Sequence, residues 1–429
     1  MVGNILLNFS ETLVMDPIEI ALTVIRFGFP LLLLCLHTGV MVGMLRMWLQ
    51  DHQLCRAAQA CTASPEEPLV SVIIPIHNEA ARISGLLETL AQQDYPHTEY
   101  IFVDDRSTDS SAEMILAFAE QECAKVGAAD GEGSWISRKV LLISLTENPG
   151  PNFKQYALSR GIEAASGDLL LLTDGDCQAS PGWVGAMKMR MEDPRMGIAI
   201  GPVFRQREGK GFFHRFQCFD HAIRYSYLSG CVGMGWPFGG FGNNLIINRH
   251  ALDTLGGYAK VPSSPTEDAA LISIFRKSGE YRLHSASRQD TWVFTHGEAG
   301  WKALINQTLR WNNGGLYSPD VFTRVNFRYL MISITVGFFA LPFIVLIPEL
   351  WPLSASVYIV VSAVTGGTLK LFKPALPAKK PPFSYFFYAG FLPPFFTLLT
   401  ILGFCGVKTE WKGAKLKFLN QRYKSPRPS

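Results

Sequence analysis

Asp174 and Asp176 stand one residue apart, directly after the apolar run Leu169–Thr173. That run has the length and flanks of a buried parallel strand, and ligands of open α/β sheets lie beyond the carboxyl ends of such strands. Two carboxylates this close repel each other unless a cation lies between them. Mg²⁺ and Mn²⁺ prefer oxygen ligands and usually also bind substrate phosphates. The pair therefore predicts a divalent-metal site. A solvated turn is the alternative, because about one Asp-x-Asp is expected by chance in a chain this long.

Two other predicted strands also end in polar residues. Residues 75–79 (Pro-Ile-His-Asn-Glu) close the first strand, and residues 104–109 (Asp-Asp-Arg-Ser-Thr-Asp) close the second. Paired acids at a strand end can hydrogen-bond a base or a ribose. Asp109 or Ser107 could instead cap the helix that follows. These segments predict a nucleotide site at the same edge of the sheet.

Two further groups of candidate residues lie on predicted helices. Glu267 and Asp268 open a helix, where they could stabilise its N-terminus or supply a general base. Gln307, Arg310 and Trp311 have i, i+3, i+4 spacing, which puts them on one face of an amphipathic helix. An arginine beside a tryptophan suits a phosphate and a sugar ring. A surface helix that binds nothing could carry the same residues.

Strands alternate with helices between residues 70 and 173, which predicts a doubly wound, mostly parallel sheet. The predicted strands are Val70–Pro75, Tyr100–Asp104, Lys139–Leu145 and Asp168–Thr173, and the predicted helices are Ala80–Gln93, Asp109–Cys123 and Phe153–Ala165. The sequence contains neither Gly-x-Gly-x-x-Gly nor Gly-x-x-x-x-Gly-Lys. This argues against a P-loop enzyme and leaves the metal to hold the phosphates.

The composition indicates a membrane protein. Of the 429 residues, 48% are hydrophobic and 17% are charged, and the apolar residues concentrate near the two ends. A net charge of +3 without a basic stripe argues against a nucleic-acid partner. The eight cysteines form no Cys-x-x-Cys pair, so we expect neither a zinc site nor a disulfide framework, and a reducing compartment.

The apolar segments predict an anchor and a C-terminal membrane region. Phe27–Leu45 is long enough to span a bilayer, and the arginines that follow it place the next domain in the cytoplasm by the positive-inside rule. Three more stretches are Tyr329–Ile347, Leu353–Leu371 and Tyr385–Val407. Three full crossings would put the basic tail outside, against that rule. One stretch is therefore expected to be re-entrant, interfacial or double, and the last is the first candidate because it contains Pro393-Pro394.

Together these motifs resemble the family-2 inverting glycosyltransferases, which have a GT-A fold. The resemblance covers residues 69–315 and continues into the C-terminal membrane region. The segment 71–79 is similar to the family's opening strand, and 104–109 to its nucleotide-contacting Asp-Asp-x-Ser-x-Asp. The acidic pair of Asp174 and Asp176 resembles the metal-binding Asp-x-Asp.

The later motifs complete the resemblance. Glu267-Asp268 is similar to the motif that holds the family's catalytic base, and Gln307–Trp311 to its Gln-x-x-Arg-Trp element. Lys154 takes the position of a lysine that is frequent in the family, although Phe153 replaces the usual small residue before it. The resemblance implies a Rossmann-like GT-A domain with a mostly parallel sheet, flanked by transmembrane helices.

The resemblance also implies residue roles. Asp104 would contact the uracil, Arg310 the diphosphate, and Asp268 would deprotonate the acceptor hydroxyl. Asp174 and Asp176 would bind Mg²⁺ or Mn²⁺. The residues expected to bind the nucleotide sugar are Pro75, Asn78, Glu79, Asp104, Asp105, Lys154, Asp174, Gln307, Arg310 and Trp311.

The expected organisation follows from these patterns. We expect a short N-terminal tail (1–17), a transmembrane anchor (18–49), a linker (50–68), a cytoplasmic GT-A domain (69–315), an interfacial helix (316–328), transmembrane or re-entrant segments (329–407) and a basic tail (408–429). This organisation predicts a multi-pass protein of the cell membrane with its catalytic domain in the cytoplasm.

The expected activity is transfer of a hexose from a UDP-sugar to a hydroxyl of a lipid-soluble acceptor, with inversion. The alternative is a processive polysaccharide synthase, because Gln-x-x-Arg-Trp is common in such enzymes, although few apolar stretches are left to build a translocation channel. The joint presence of the acidic motifs and Arg310 argues against a non-catalytic membrane-anchored domain. The large soluble α/β part argues against a transporter.

Overall fold

The computed structural model of the chain describes residues 16–60, 67–127, 139–150, 152–206, 209, 211–377, 385–411 and 414–416. Parts of the predicted N-terminal tail (1–15), linker (61–66) and basic tail (412–413 and 417–429) lie outside the described residues.

The strands in the described part of the chain are β1 (Val70–Ile76), β2 (Thr98–Asp105), β3 (Lys139–Leu145), β4 (Leu169–Leu172), β5 (Cys177–Ala179), β6 (Met196–Ile200), β7 (Val203–Arg205), β8 (Leu245–Asn248), β9 (Arg282–Ser285), β10 (Val293–Thr295), β11 (Thr409–Trp411) and β12 (Ala414–Leu416). Seven of them form one sheet in the order β3-β2-β1-β4-β8-β6-β9. Strand β1 pairs in parallel with β2 and β4, and β2 with β3, whereas β8 runs antiparallel to both β4 and β6. The predicted mostly parallel α/β sheet is confirmed.

Helices alternate with the parallel strands and then form an apolar bundle. They are α1 (Pro17–Thr23), α2 (Phe29–Ala60), α3 (Ile83–Ala91), α4 (Ser111–Gly127), α5 (Phe153–Ala164), α6 (Trp183–Met189), α7 (Phe212–Gly233), α8 (Arg249–Thr254), α9 (Glu267–Ser278), α10 (Trp301–Leu316), α11 (Val321–Phe343), α12 (Trp351–Phe372) and α13 (Tyr385–Phe404). A π-helical segment (Val24–Gly28) joins α1 to α2. The strands and helices predicted between residues 70 and 173 are present, with ends that differ by a few residues.

The central strands are mostly apolar because helices cover both faces of the sheet. On one face, a Cβ at Gly161 of α5 would stand 2.5 Å from Ile73 of β1, so this helix lies directly against the strand. On the other face, Val72 and Ile74 share a buried cluster with Ile83 of α3. The C-terminal ends of strands β1, β2 and β4 lie side by side, so the polar segments that follow them meet at the same edge of the sheet.

Helix α2 is longer than the predicted anchor and continues to Ala60, so the first part of the predicted linker is helical. Asp51 explains this, because its fully buried carboxylate accepts hydrogen bonds from Arg190 Nε (2.8 Å) and from the Ser287 backbone N–H (2.8 Å). Closer to its N-terminus, α2 packs tightly against α7. A Cβ atom added at Gly43 would lie only 2.1 Å from the Gly230 carbonyl oxygen. The anchor helix is thus packed onto the α/β domain.

The segment 316–328, for which an interfacial helix was expected, covers the end of one helix and the start of the next. Helix α10 ends at Leu316, and α11 begins at Val321 and continues to Phe343 without interruption. Asp320 sets this start, because its carboxylate accepts from the Thr323 backbone N–H at 2.8 Å and caps the helix. The aromatic and basic residues after Asp320 therefore form the first turns of a long apolar helix.

Within the described residues, four helical segments are long and apolar enough to cross a membrane: Arg26–Arg56, Val321–Phe343, Pro348–Ala375 and Tyr385–Phe404. The last of these, α13, lies along the α/β domain from end to end. Near its start the Tyr385 ring lies 5.9 Å from the Phe219 ring of α7, and near its end the Tyr317 hydroxyl donates to the Gly403 carbonyl at 2.9 Å. The helix continues through Pro393-Pro394.

Candidate active site

The carboxyl edge of the parallel strands opens into a cavity of about 830 Å³. Its volume is near the upper end of the range usual for small-molecule sites. Most of the predicted site residues line it: Pro75, Glu79, Asp105, Lys154, Asp174, Asp176, Asp268, Gln307, Arg310 and Trp311. Segments separated by more than 200 residues in the chain thus meet around one space.

Asn78 and Asp104 lie outside the cavity lining and hold loops together. Asp104 Oδ1 accepts from the Ser107 backbone N–H at 3.1 Å, and Asn78 Oδ1 accepts from the Thr108 backbone N–H at 2.8 Å. Asn78 has φ of 54°, a left-handed conformation that asparagine tolerates better than most residues. Asp105, the other acid of this pair, is the one that lines the cavity.

Asp109 caps the helix that follows β2, which is one of the two roles that its position in the sequence allowed. One of its carboxylate oxygens accepts from the Ser111 backbone N–H at 3.1 Å at the start of α4, and the other accepts from the Ala80 backbone N–H at 2.9 Å. It therefore ties the loop after β1 to the helix after β2. Asp105 is held in turn by Arg106 Nε at 2.8 Å and by Asn148 Nδ2 at 3.0 Å.

Lys154 lies at the centre of the acidic residues. Its Nζ is 2.6 Å from Asp174 Oδ1 and 3.4 Å from Glu267 Oε1. Burial alone would lower the pKa of Lys154, but the charges of Asp174 and Glu267 outweigh burial and raise it, so the lysine keeps its proton. Asn152 caps α5 by accepting from the Gln155 backbone N–H at 3.2 Å, which places Lys154 in the first turn, facing the cavity.

Asp174 and Asp176 fit a divalent cation that also takes phosphate oxygens. Asp176 Oδ2 accepts from Thr295 Oγ1 at 3.1 Å and lies 4.0 Å from Arg82 Nη1, and both acids line the cavity. No group of three or more His, Cys, Asp or Glu side chains suited to a metal occurs among the described residues. Two carboxylates completed by substrate phosphates and water are a usual Mg²⁺ set.

Asp268 is the acid of the cavity whose pKa is raised. Its Oδ2 accepts from the Gly242 backbone N–H at 3.1 Å, and its Oδ1 from the Ala269 backbone N–H at 2.8 Å. Burial and the neighbouring Glu267 carboxylate raise the pKa of Asp268 to about 7, against the lowering effect of these hydrogen bonds and of Lys154. A carboxylate with such a pKa is suited to general-base work near neutral pH.

Glu267 also lines the cavity. Its Oε2 lies 3.4 Å from Asn152 Nδ2, and its other oxygen lies near Lys154. The two acids thus have different surroundings: Glu267 pairs with a cation, and Asp268 is held by backbone N–H groups.

The face of α10 carries Gln307, Arg310 and Trp311 into the cavity, as the spacing predicts. Arg205 donates to Gln307 Oε1 and to the His296 carbonyl, and its guanidinium carbon lies 5.9 Å from the Trp311 ring centroid. Burial lowers the pKa of Arg310, against the raising effect of the surrounding carboxylates.

Arg205 and Arg224 are among the cavity residues that the sequence motifs did not identify. Arg205 ends β7, and the rule that polar residues at strand ends face ligands could have found it. Arg224 lies in the middle of α7, where no motif marks it; it pairs with Asp220 at 2.9 Å and lies 5.8 Å from the Trp311 ring. Both arginines flank Trp311 and bring positive charge to this wall of the cavity.

The same cavity continues between the apolar helices. Its far part is lined by side chains from all four apolar helical segments and from α7, including Leu33, Tyr227, Met331, Ile334, Val360, Val364 and Phe396. A charged pocket and an apolar pocket thus form one continuous space.

The fold and this site define a glycosyltransferase, and comparisons with known proteins agree. The model "Glycosyl transferase family 2" matches residues 71–256, and "Glycosyl transferase family group 2" matches residues 170–398. The chain belongs to glycosyl transferase family 2. The predicted family and the predicted α/β GT-A class are confirmed.

Relatives of this family align over part of their length. The probable glycosyltransferase YdaM of Bacillus subtilis is 26% identical over 260 residues, which are 59% of this chain and 56% of that protein. The poly-beta-1,6-N-acetyl-D-glucosamine synthase of Staphylococcus aureus is 24% identical over 254 residues, which are 57% and 54% of the two chains. The chain spans about half the length of these curated relatives.

Solved structures with similar folds include a mannosyltransferase from Pyrobaculum calidifontis in complex with GDP-Man and Mn²⁺. It has a TM-score of 0.49 and 18% identity, and the match covers 90% of this chain and 97% of that one. The S. aureus TarS structure in complex with UDP-GlcNAc has a TM-score of 0.40 and 14% identity, with 84% and 98% covered.

Proposed function

We propose that this glycosyltransferase moves a hexose from a UDP-sugar to a hydroxyl of a lipid-soluble acceptor, with inversion and with a divalent cation. The observation that carries this proposal is the continuity of one cavity from the acidic residues to the apolar helices. A water-soluble donor suits the charged end, and an apolar acceptor suits the other end. Asp268 lies among the residues that line this space.

At the donor end, the chain supplies charges of both signs. Asp174 and Asp176 would hold Mg²⁺ or Mn²⁺, which supplies Lewis-acid stabilisation of the departing diphosphate. Arg310 and Lys154 add positive charge for the same leaving group. Because Lys154 contacts Asp174 at 2.6 Å, it orients this carboxylate toward the cavity.

At the acceptor end, Asp268 acts as the general base. It takes the proton of the acceptor hydroxyl while the oxygen attacks the anomeric carbon from the face opposite the diphosphate. The new C–O bond forms as the bond from the sugar to the diphosphate breaks, and the nucleoside diphosphate leaves with the electron pair. The backbone N–H groups of Gly242 and Ala269 fix the carboxylate for this step.

The proposed location is the cell membrane, with several crossings and the catalytic domain in the cytoplasm. Helix α13 supports this arrangement because both of its ends contact the α/β domain. After it, the Glu410 backbone N–H donates to Asn306 Oδ1 at 3.0 Å, so the chain beyond α13 lies beside α10. If α13 lies along the membrane surface, the basic tail stays on the cytoplasmic side, as the positive-inside rule requires.

The second candidate is a processive polysaccharide synthase. The position of Gln307 and Trp311 in the cavity favours it, and a synthase of this kind is among the relatives.

The reaction product distinguishes the two functions. Purified protein in lipid nanodiscs, given radiolabelled UDP-sugars and a membrane lipid extract, should yield one organic-extractable glycolipid of constant size. A water-soluble ladder that lengthens with time would instead identify the synthase.

A further inference from the structure

The loop that precedes Asp268 is held by helix α5. This loop covers residues 261–266, and α9 begins directly after it at Glu267, so Asp268 is the second residue of α9. Asn152 caps α5, and Gln155 lies in the first turn of that helix. A shift of the loop would therefore move both acids relative to α5.

Gln155 binds the loop with both ends of its side-chain amide. Its Nε2 donates to the Val261 carbonyl at 3.0 Å, and its Oε1 accepts from the Ser264 backbone N–H at 3.2 Å. Gln155 is not among the described residues that line the cavity. Any effect of this side chain on sugar transfer must therefore pass through the loop.

Asn152 joins α5 to the loop and to Glu267. Its Oδ1 accepts from the Gln155 backbone N–H at 3.2 Å, so its Nδ2 is the donor to the other partners. Nδ2 donates to the Ser264 carbonyl at 2.6 Å and lies 3.4 Å from Glu267 Oε2. Ser264 is buried, and side chains of α5 thus bind both its backbone N–H and its carbonyl.

Helix α10 packs against the same loop. A Cβ atom added at Gly314 would lie 2.3 Å from Thr266 Cγ2, so the loop is in direct contact with the helix that carries Arg310. The Thr266 backbone N–H also donates to Ser264 Oγ at 3.3 Å. The loop therefore lies between the helix of Lys154 and the helix of Arg310.

We infer that Asn152 and Gln155 are positioning residues, which fix the loop 261–266 and thereby hold Asp268 in place relative to the leaving diphosphate. General-base catalysis requires the carboxylate to stay within hydrogen-bond reach of the acceptor hydroxyl. A misplacement of about 1 Å can lower a rate by roughly 10²-fold. This inference rests on the proposed function, in which Asp268 is the base.

The test uses two variants that loosen the loop and keep the cap of α5. Gln155→Leu removes both hydrogen bonds of the side-chain amide to the loop. Asn152→Ser keeps a capping oxygen but is too short to bridge to Ser264 and Glu267. In nanodiscs with a UDP-sugar that the protein uses and a membrane lipid extract, we expect each variant to lower kcat by about tenfold. The Kd of UDP in the presence of Mn²⁺ should change by less than about threefold, because Lys154 and the acidic pair stay in place.

Ser159→Ala is the matched control on α5. The Ser159 hydroxyl donates to Glu163 Oε1 of the same helix at 3.2 Å, so this variant leaves the loop untouched and should keep both kcat and the Kd of UDP. Retained UDP affinity in the two test variants also shows that they are folded.

A normal kcat in Gln155→Leu would overturn the inference, even if Asn152→Ser is slow. Asn152 lines the cavity, and it would then act on a bound substrate directly. A loss of UDP affinity as large as the loss of kcat would also overturn it, since α5 would then serve the donor rather than the base. Asp268→Asn distinguishes this failure from failure of the proposed function, because normal turnover of that variant would refute the proposed base itself.

Discussion

The raised pKa of Asp268 predicts a specific pH dependence of sugar transfer. A base must be unprotonated to act, and burial together with Glu267 raises the pKa of Asp268 to about 7. Activity should therefore fall as pH decreases below neutral. For a pKa near 7, the unprotonated fraction differs about tenfold between pH 6 and pH 8, whereas at the ordinary value of 3.8 it would hardly change. The measurement is kcat/KM for the acceptor across this range, at constant metal and donor concentration.

Two substitutions should shift the acid limb of the pH profile, which is the decrease in activity at low pH, in opposite directions. Glu267→Gln removes a neighbouring negative charge, so the pKa of Asp268 should fall and the limb should shift to lower pH by on the order of one unit. Lys154→Met removes the cation that lowers this pKa, so the limb should shift to higher pH. Glu298→Gln removes another carboxylate of the same cavity and should leave the limb in place.

Asp268→Asn keeps the size of the side chain but accepts no proton. We expect kcat to fall by roughly 10²–10⁴-fold, the usual contribution of a general base, with a modest change in donor affinity. The reasoning is refuted if Asp268→Asn turns over normally, or if Glu267→Gln alone is inactive at every pH, because the base would then be Glu267. Loss of donor binding in both variants would place the base elsewhere.

Two further predictions concern the metal and the anchor. Chelation should abolish sugar transfer, and Mn²⁺ or Mg²⁺ should restore it. Asp176→Asn should lose at least about 10²-fold in activity while keeping its melting temperature. Full activity of that variant in excess chelator would contradict the assignment of Asp176 as a metal ligand. Asp51→Ala should destabilise the protein by about 3–5 kcal/mol, because it removes the closer and fully buried carboxylate of Arg190 and leaves only Asp290, at 3.5 Å. Thermal unfolding in detergent measures this, with the exposed Glu192→Ala as control, and an unchanged midpoint would show that the pair contributes no stability.

The order of strands and helices in the first half of the domain could be read from local patterns. Continuous apolar runs such as Leu169–Leu172 predict buried strands because both faces of the sheet are covered. The i, i+3, i+4 spacing of Gln307, Arg310 and Trp311 placed them on one face because helix geometry is independent of the surroundings. The family motifs could be recognised for the same reason: each is short and contiguous.

The roles of adjacent acids could not be read in this way. The sequence put Asp104 and Asp105 at the same strand end, but only the fold directs one into the cavity and the other into a loop hydrogen bond. Likewise, Glu267 and Asp268 both reach the cavity because Lys154 attracts one and the Gly242 backbone holds the other. These choices depend on partners that are distant in the chain.

The boundaries of the membrane region also depended on long-range contacts. Hydropathy marks where apolar segments lie, but Asp51 extends α2 through a buried ion pair with Arg190, a residue 139 positions away. Asp320 merges the predicted interfacial segment into α11 by capping it. What the sequence alone determined is the set of elements and chemical groups, because these follow from local residue pattern. What only the tertiary structure decided is that the acidic site and the apolar helices enclose one cavity, because this requires side chains from both ends of the chain to pack together.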